Sequence, residues 1–222
     1  MNYSFPETLK RTLRVKEIFF SLQGEGARTG SPNIFIRLAG CNKNCSFCDT
    51  DWKDGVDYTL DKLVPIISRY PCSSIIWTGG EPTLQLDEEI VEFFKEQGFY
   101  QAIETNGSNP VPLGIDYVTC SPKEGVTIRD LWENFNNKQL DEFRYLITKD
   151  TISGINNQLP DIENLPNAAH YFISPMFEGT LYVPEIVNAC VEYIKSEYNW
   201  FNKYTNKLWK LSVQIHKIIG IA

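Results

Sequence analysis

Apolar and polar residues alternate with period two over Asn33-Ile-Phe-Ile-Arg-Leu-Ala-Gly40, which predicts a strand over 33–39. Upstream, Thr12 to Phe20 (T-L-R-V-K-E-I-F-F) reads as a first strand that leads into Ser21-Leu-Gln-Gly-Glu-Gly26. Thr59 to Tyr70 reads as helical, with Thr59 as N-cap and Pro65 interrupting a straight course. Ser74-Ile-Ile-Trp77 is a short buried strand that ends at Thr78-Gly-Gly-Glu-Pro82. Leu86, Ile90, Phe93, Phe94 and Gln97 fall at helical spacing, with Asp87, Glu88 and Glu89 in the first turn and Gly98 after the last. Further strands are expected over 100–103, 116–120, 143–147 and 170–173, then a helix from Pro184 to Tyr198 and a last strand from Leu208 to Ile215.

Strands that alternate with helices argue for parallel βα units. The unusual polar motifs mostly follow the C-terminal end of a predicted strand. That is where a barrel or open α/β sheet gathers its active-site loops. The units are too few for an eight-fold barrel, so the expected fold is α/β, a partial, open parallel βα barrel. Residues 1–222 carry no internal repeat, low-complexity tract or linker, and one domain is expected.

Composition narrows the partners. Hydrophobic residues make up 42% and aromatics 13%, enough for a substantial core. No apolar run reaches the roughly 18–20 residues of a membrane span, and the first residues lack the basic-then-apolar pattern of a signal peptide. A cytoplasmic location is expected. The formal net charge of −7 argues against nucleic acid as a partner, though local Arg and Lys can still receive a small anion.

The chemistry concentrates in Cys41-Asn-Lys-Asn-Cys45-Ser-Phe-Cys48-Asp49-Thr50, the loop after the 33–39 strand. A structural zinc site wants four ligands, and no fourth Cys or His lies nearby in sequence. Three thiolates suit a four-iron cluster with one iron left open. The isolated Cys72, Cys120 and Cys190 read as small apolar packing groups, and His170 as structural. The C-x-x-x-C-x-x-C spacing, with Phe47 before the third Cys, resembles the signature of radical S-adenosylmethionine (SAM) enzymes. That resemblance implies a [4Fe–4S] cluster on Cys41, Cys45 and Cys48, with SAM on the open iron and the partial barrel of that superfamily.

The remaining motifs extend the likeness. Thr78-Gly-Gly-Glu-Pro82 resembles the superfamily turn that binds the methionine amino group, which points to Gly79, Gly80 and Glu81. Glu104-Thr-Asn-Gly107 resembles the ribose-binding segment, with Glu104 as acceptor, and Ser121-Pro122-Lys123 a SAM-contacting loop. Ser174-Pro-Met176 is similar to a further SAM contact, and Phe47 and Asp49 are implied beside the cofactor. Phe20-Ser-Leu-Gln-Gly-Glu-Gly, Arg37 within Phe-Ile-Arg-Leu-Ala-Gly-Cys, and Gln214-Ile-His-Lys217 resemble the 7-carboxy-7-deazaguanine synthase family. The likeness runs from about Val15 to the last residue and is thinnest between Gly125 and Asn167.

This second resemblance implies a lyase that turns 6-carboxy-5,6,7,8-tetrahydropterin into 7-carboxy-7-deazaguanine and ammonia, with SAM regenerated. Leu22, Gln23, Gly24 and Glu25 would line the pterin site, Arg37 would receive the substrate carboxylate, and Thr78 and His216 would contact substrate. Thr50 matches the family's magnesium ligand, and the α-carboxylate of Ala222 is expected to meet the pterin's paired N–H donors. A homodimer is implied, with a flavodoxin or ferredoxin as reductant docking on Arg28, Lys43 and Lys53. A glycyl-radical-activating enzyme shares the cysteine spacing, and a non-catalytic metal-binding protein is a different class of answer. The glutamine–glycine and histidine–lysine motifs argue against the former, and iron, sulfide and product analysis separates all three.

Overall fold

Six parallel pairings run through the middle of one sheet, and the segment before them folds back against its edge. A computed structural model describes residues 5–135, 140–152, 155, 159–196 and 207–221; Ala222, expected to bind substrate, lies outside the described residues. A short helix α1 (Phe5–Thr8) precedes β1 (Thr12–Leu22), and β2 (Pro32–Leu38) pairs antiparallel with it. The intervening residues 23–31 are too short a connection for a parallel crossover, so the first two strands form a hairpin rather than a βα unit. β3 (Val56–Thr59), which the sequence did not announce, pairs antiparallel with the other edge of β1. β4 (Ser74–Gly79), β5 (Tyr100–Thr105), β6 (Tyr117–Cys120), β7 (Glu142–Ile147) and β8 (His170–Pro175) follow in parallel, and the hairpin β9 (Phe177–Glu178) and β10 (Leu181–Tyr182) stands apart. β11 (Trp209–Leu211) closes the order β11-β8-β7-β6-β5-β4-β2-β1-β3, an open parallel sheet with an antiparallel edge. The partial, open barrel is therefore the observed architecture.

The further described α-helices are α2 (Leu60–Ile67), α3 (Glu88–Glu96), α4 (Ile128–Phe135), α5 (Lys149–Ile152), α6 (Pro184–Lys195) and α7 (Ile215–Ile219). Asp87 caps α3 through Ile90 N at 3.0 Å rather than entering its first turn. α2 runs through Pro65 but stops two residues later, and Thr59 makes no side-chain cap. α4 and α5 lie between residues 125 and 167, where the only expected element is the 143–147 strand, observed as β7. The last expected strand stops at Leu211, and Ile215 to Ile219 form a helix instead, ended by Gly220 in the left-handed region at φ 70°. Residues 197 and 198, expected in the 184–198 helix, are outside the described set.

Alternate residues of each strand divide between two faces. Ile34, Ile36, Ile75, Trp77, Ile103, Val118, Phe143 and Ile173 share one buried cluster with Leu63, Ile90, Phe94, Leu131 and Ile186 of the helices. Each such burial is worth about 1.5–3 kcal/mol against exposure. Trp77 stands edge-on to Phe94 at 5.0 Å, and its Nε1 donates to Gln101 at 3.1 Å. On the opposite face, Phe35, Ile76 and Ala102 form a smaller cluster joined by Phe19, which stacks on Phe35 at 4.9 Å. Two residues further along the same strands this face turns polar, at Arg37, Thr78 and Glu104. That change of character places the site.

Candidate active site

A pocket of about 210 Å³ opens at the C-terminal ends of the parallel strands. Cys41, Cys45 and Cys48 line one side of it, together with Phe47, Asp49 and Thr50 of the same loop. All six cysteines are free thiols. Among the described residues, no three His, Cys, Asp or Glu side chains converge on a single metal ion. Three thiols on one pocket wall suit a cluster in which each ligates a different iron. Lys43 N donates to Cys41 Sγ at 3.4 Å, and Asn106 Nδ2 reaches the same sulfur at 4.0 Å. Cys120 and Cys190 belong to the main buried core and Cys72 packs against that core, as their isolation suggested.

The glycine turn after β4 owes its composition to packing. A Cβ on Gly80 would stand 1.7 Å from the carbonyl oxygen of Gly40, and one on Gly79 would stand 2.4 Å from that of Leu38. Gly80 N and Glu81 N donate to those two carbonyls at 2.9 Å each, so the turn is clamped backbone to backbone against the entry to the cysteine loop. The Thr78, Gly79 and Gly80 backbone still borders the pocket. Glu81 does not. Its carboxylate is fully buried, and it accepts from Thr83 N and Oγ1, Thr105 Oγ1 and Asn106 N at 2.6–3.1 Å. A buried carboxylate needs such donors, and these tie the end of β4 to the end of β5 rather than leaving Glu81 to reach a cofactor amine.

Opposite the thiols lies a group of carboxylates around Arg144, a residue that the sequence reading missed. Arg144 is 5% exposed. Its Nη1 stands 3.2 Å from Glu25 and 3.4 Å from Glu104, and its Nη2 bonds Glu142. Glu142 also accepts from Thr119 Oγ1, Ala27 N and Tyr117 OH at 3.0–3.1 Å. Gln23 Nε2 donates to Glu104 at 2.8 Å, while its Oε1 accepts from Glu25 N at 3.1 Å. Burial pushes the Glu25 carboxyl above its ordinary value, with Arg144 opposing and Glu104 adding to the rise. Burial would raise Glu104 too, but Arg144 and Gln23 together hold it low. Glu25, Glu104, Thr119 and Arg144 face the pocket.

The C-terminal helix α7 docks on the loop between β1 and β2. Ile215 N donates to Gly24 O at 3.0 Å, and a Cβ on Gly24 would sit 1.9 Å from the His216 ring. Burial lowers the His216 pKa, and Lys217 lowers it further. Lys217 and Gln214 line the pocket, and Lys217 Nζ bonds Asp49 at 2.6 Å, joining the helix to the cysteine loop. Arg37 Nε meets Glu17 at 2.6 Å and its Nη1 donates to Thr50 Oγ1 at 3.1 Å, so half of its fork is already engaged. Thr50 Oγ1 lies 3.4 Å from Asp49 Oδ1, an oxygen pair that Mg²⁺ can use with waters and ligand oxygens.

Other expected residues divide. Ser121, Lys123, Ser174 and Met176 line the pocket, with Lys123 Nζ donating to Ser121 Oγ at 3.0 Å. Ser174 Oγ is buried without a hydrogen-bond partner, so this wall has a polar contact to offer a bound ligand such as SAM. Leu22 is 39% exposed, and Leu22, Gln23, Gly24, Arg37, Pro122 and His216 do not themselves line the pocket. Arg28, expected near the thiols, lies at the other end of the sheet, bonded to Asn33 and Ser74 and set over the rings of Tyr100 and Tyr117. It follows the β1 hairpin turn to the N-terminal ends of β2 and β4, which sequence proximity to Cys41 could not reveal. Asn106, Thr119, Leu146, Phe177, Trp52 and Gln214 also line the pocket without having been singled out. Only Asn106 and Gln214 sat inside quoted motifs.

Comparison with known proteins accords with this arrangement. Residues 35–125 match the Radical SAM superfamily. The 7-carboxy-7-deazaguanine synthase of Bacteroides thetaiotaomicron is 38% identical over 208 residues, 94% of this chain and 98% of its own. That of Neisseria meningitidis serogroup B is 35% identical, covering 94% of this chain and 93% of its own. The crystal structure of QueE from Escherichia coli superposes with a TM-score of 0.67 at 24% identity, covering 97% of this chain and all of that one, which bears on the fold. With the cysteine loop, the clamped glycine turn and the full-length likeness in agreement, the chain belongs to the 7-carboxy-7-deazaguanine synthase family of radical SAM enzymes.

Proposed function

We propose that this protein converts 6-carboxy-5,6,7,8-tetrahydropterin into 7-carboxy-7-deazaguanine with loss of ammonia. The observation that carries the reading is the meeting of three free thiols and the Gln23–Glu25–Glu104 array across one pocket. The cofactors are a [4Fe–4S] cluster, SAM and Mg²⁺. When bound, the reduced cluster and SAM supply a carbon-centred radical that takes hydrogen from the pterin. Cys41, Cys45 and Cys48 would hold the cluster, and the Gly79–Gly80 backbone, Glu104, Ser121, Lys123, Ser174 and Met176 would hold SAM. Glu25, with Gln23 behind it, would accept from the pterin's N–H edge, and Thr78 would stand between the two ligands. Arg37 would receive the substrate carboxylate beside Thr50, the candidate Mg²⁺ ligand. His216 would close the site from α7, at Gly24.

The finer parts of the reading rest on resemblance and chemistry. Residues 1–222 act as one radical SAM domain and pair as a homodimer. An acidic flavodoxin or ferredoxin delivers the electron. Reduced clustered thiols fit the cytoplasm, and no described helix is long and apolar enough to cross a membrane.

Anaerobic reconstitution followed by product analysis tests the reading. Iron and acid-labile sulfide near four per chain, with 7-carboxy-7-deazaguanine formed from the carboxypterin, is the expected result. Cys41→Ala, Cys45→Ala and Cys48→Ala should each abolish cluster and product, whereas Cys72→Ser should keep both. Product formation without one of the first three thiols would overturn the assignment.

A further inference from the structure

Arg144 carries one positive charge among three carboxylates, with Nη2 committed to one of them and Nη1 divided between the other two. Nη2 is bound to Glu142, which is itself locked by Thr119, Tyr117 and the Ala27 amide. Nη1 is shared, donating to Glu25 at 3.2 Å and to Glu104 at 3.4 Å. Nε is buried with no partner. A guanidinium held in this way shares its field between two pocket-facing acids. In a low-dielectric interior that single charge cannot compensate both fully.

We propose that Arg144 is a positioning residue that couples the two halves of the pocket: a ligand whose donors satisfy Glu104 leaves the guanidinium to Glu25, and so strengthens a donor-bearing ligand at Glu25. The coupling rests on the proposed function, in which SAM ribose hydroxyls meet Glu104 and the pterin N–H edge meets Glu25. The two acids are already unequal. Glu104 has Gln23 as a second donor and is held low, whereas Glu25 has lost more to burial than Arg144 returns. New donors at Glu104 reduce its demand on Nη1. Glu25 then becomes the better acceptor, in the ionised form that a pair of N–H donors requires. By linkage, the pterin must strengthen SAM binding by the same factor.

The test uses the cluster-loaded enzyme without reductant, so that both ligands bind and none turns over. Calorimetry gives Kd for the carboxypterin with and without saturating SAM. In the unaltered protein SAM should tighten the carboxypterin about 5-fold or more, within the usual range of coupling. Arg144→Met should lose most of that tightening, and so should Glu25→Gln, which keeps the shape and the backbone. The double variant should lose no more than either alone. Equal affinity with and without SAM in the unaltered protein, or full tightening in Glu25→Gln, overturns the coupling, and the latter decides even if Arg144→Met fails to fold. A protein that binds no carboxypterin with SAM present, and forms no product when reduced, refutes the functional reading itself and the coupling with it.

Discussion

At the scale of single residues, two substitutions separate packing from chemistry. Gly80→Ala inserts a methyl group 1.7 Å from the Gly40 carbonyl, so β2 and β4 must part at the entry to the cysteine loop. Overpacking of this kind costs about 1–3 kcal/mol. The expected outcome is a lower Tm together with less iron per chain after reconstitution. Unchanged iron content would separate the clamp from the cluster. Glu25 tests the electrostatics. Its carboxyl is raised by burial above an ordinary value near 4.5, so the folded chain keeps its proton over a range where the unfolded chain has lost it. Stability is therefore lost as pH rises from about that ordinary value to the raised one, and the loss then levels off. Glu25→Gln has no proton to lose. Its Tm should gain on the parent protein through that same window and hold the gain above it. A difference in Tm that does not change with pH would mean that burial does not disfavour the charged form.

At the scale of elements, the strand ends were legible because the sequence states them twice, as apolar alternation and as a polar motif where the alternation stops. β4 ends at the glycine turn, β5 at Glu104-Thr-Asn-Gly107 and β6 at Ser121. What stayed hidden depends on contacts between distant segments. Phe143-Arg-Tyr-Leu reads only as strand, and nothing local says that Arg144 turns inward to meet residues 25 and 104. The Glu81 carboxylate is concealed likewise, because two of its four donors, Thr105 and Asn106, come from the far-off end of β5. The last strand, expected to reach Ile215, overruns the start of a helix, since Ile215, Ile218 and Ile219 do not reveal which period they follow. The helix they form is fastened at two points, Gly24 and Asp49. Lys217→Met should cost under about 1 kcal/mol of stability, because the Asp49 side chain is 59% exposed. It should raise KM for the carboxypterin by a larger factor than it lowers kcat, since the helix carries His216 to the site. Loss of kcat with KM unchanged would place the latch in chemistry rather than in binding.

At the scale of the whole molecule, the proposed acidic electron donor would have to approach a chain of net charge −7. Association then depends on local cations near the thiols, and the fold sorts the candidates. Arg28 is held at the far end of the sheet between two tyrosine rings and takes no part. Lys43 points along the pocket wall, its Nζ bonded to the Glu124 carbonyl at 3.1 Å. Lys53 is exposed, five residues after Cys48, and is the cation best placed to meet a partner. Lys53→Glu should slow flavodoxin- or ferredoxin-driven turnover, with the defect shrinking as salt is added, because exposed charges are screened beyond about 10 Å at 0.1 M. Turnover driven by dithionite, a small reductant that needs no docking surface, should be unchanged. Arg69→Glu changes the net charge equally at the exposed end of α2, before β4 begins, on the opposite rim. If it slows the protein-driven reaction as much as Lys53→Glu does, the effect belongs to overall charge and the docking face lies elsewhere.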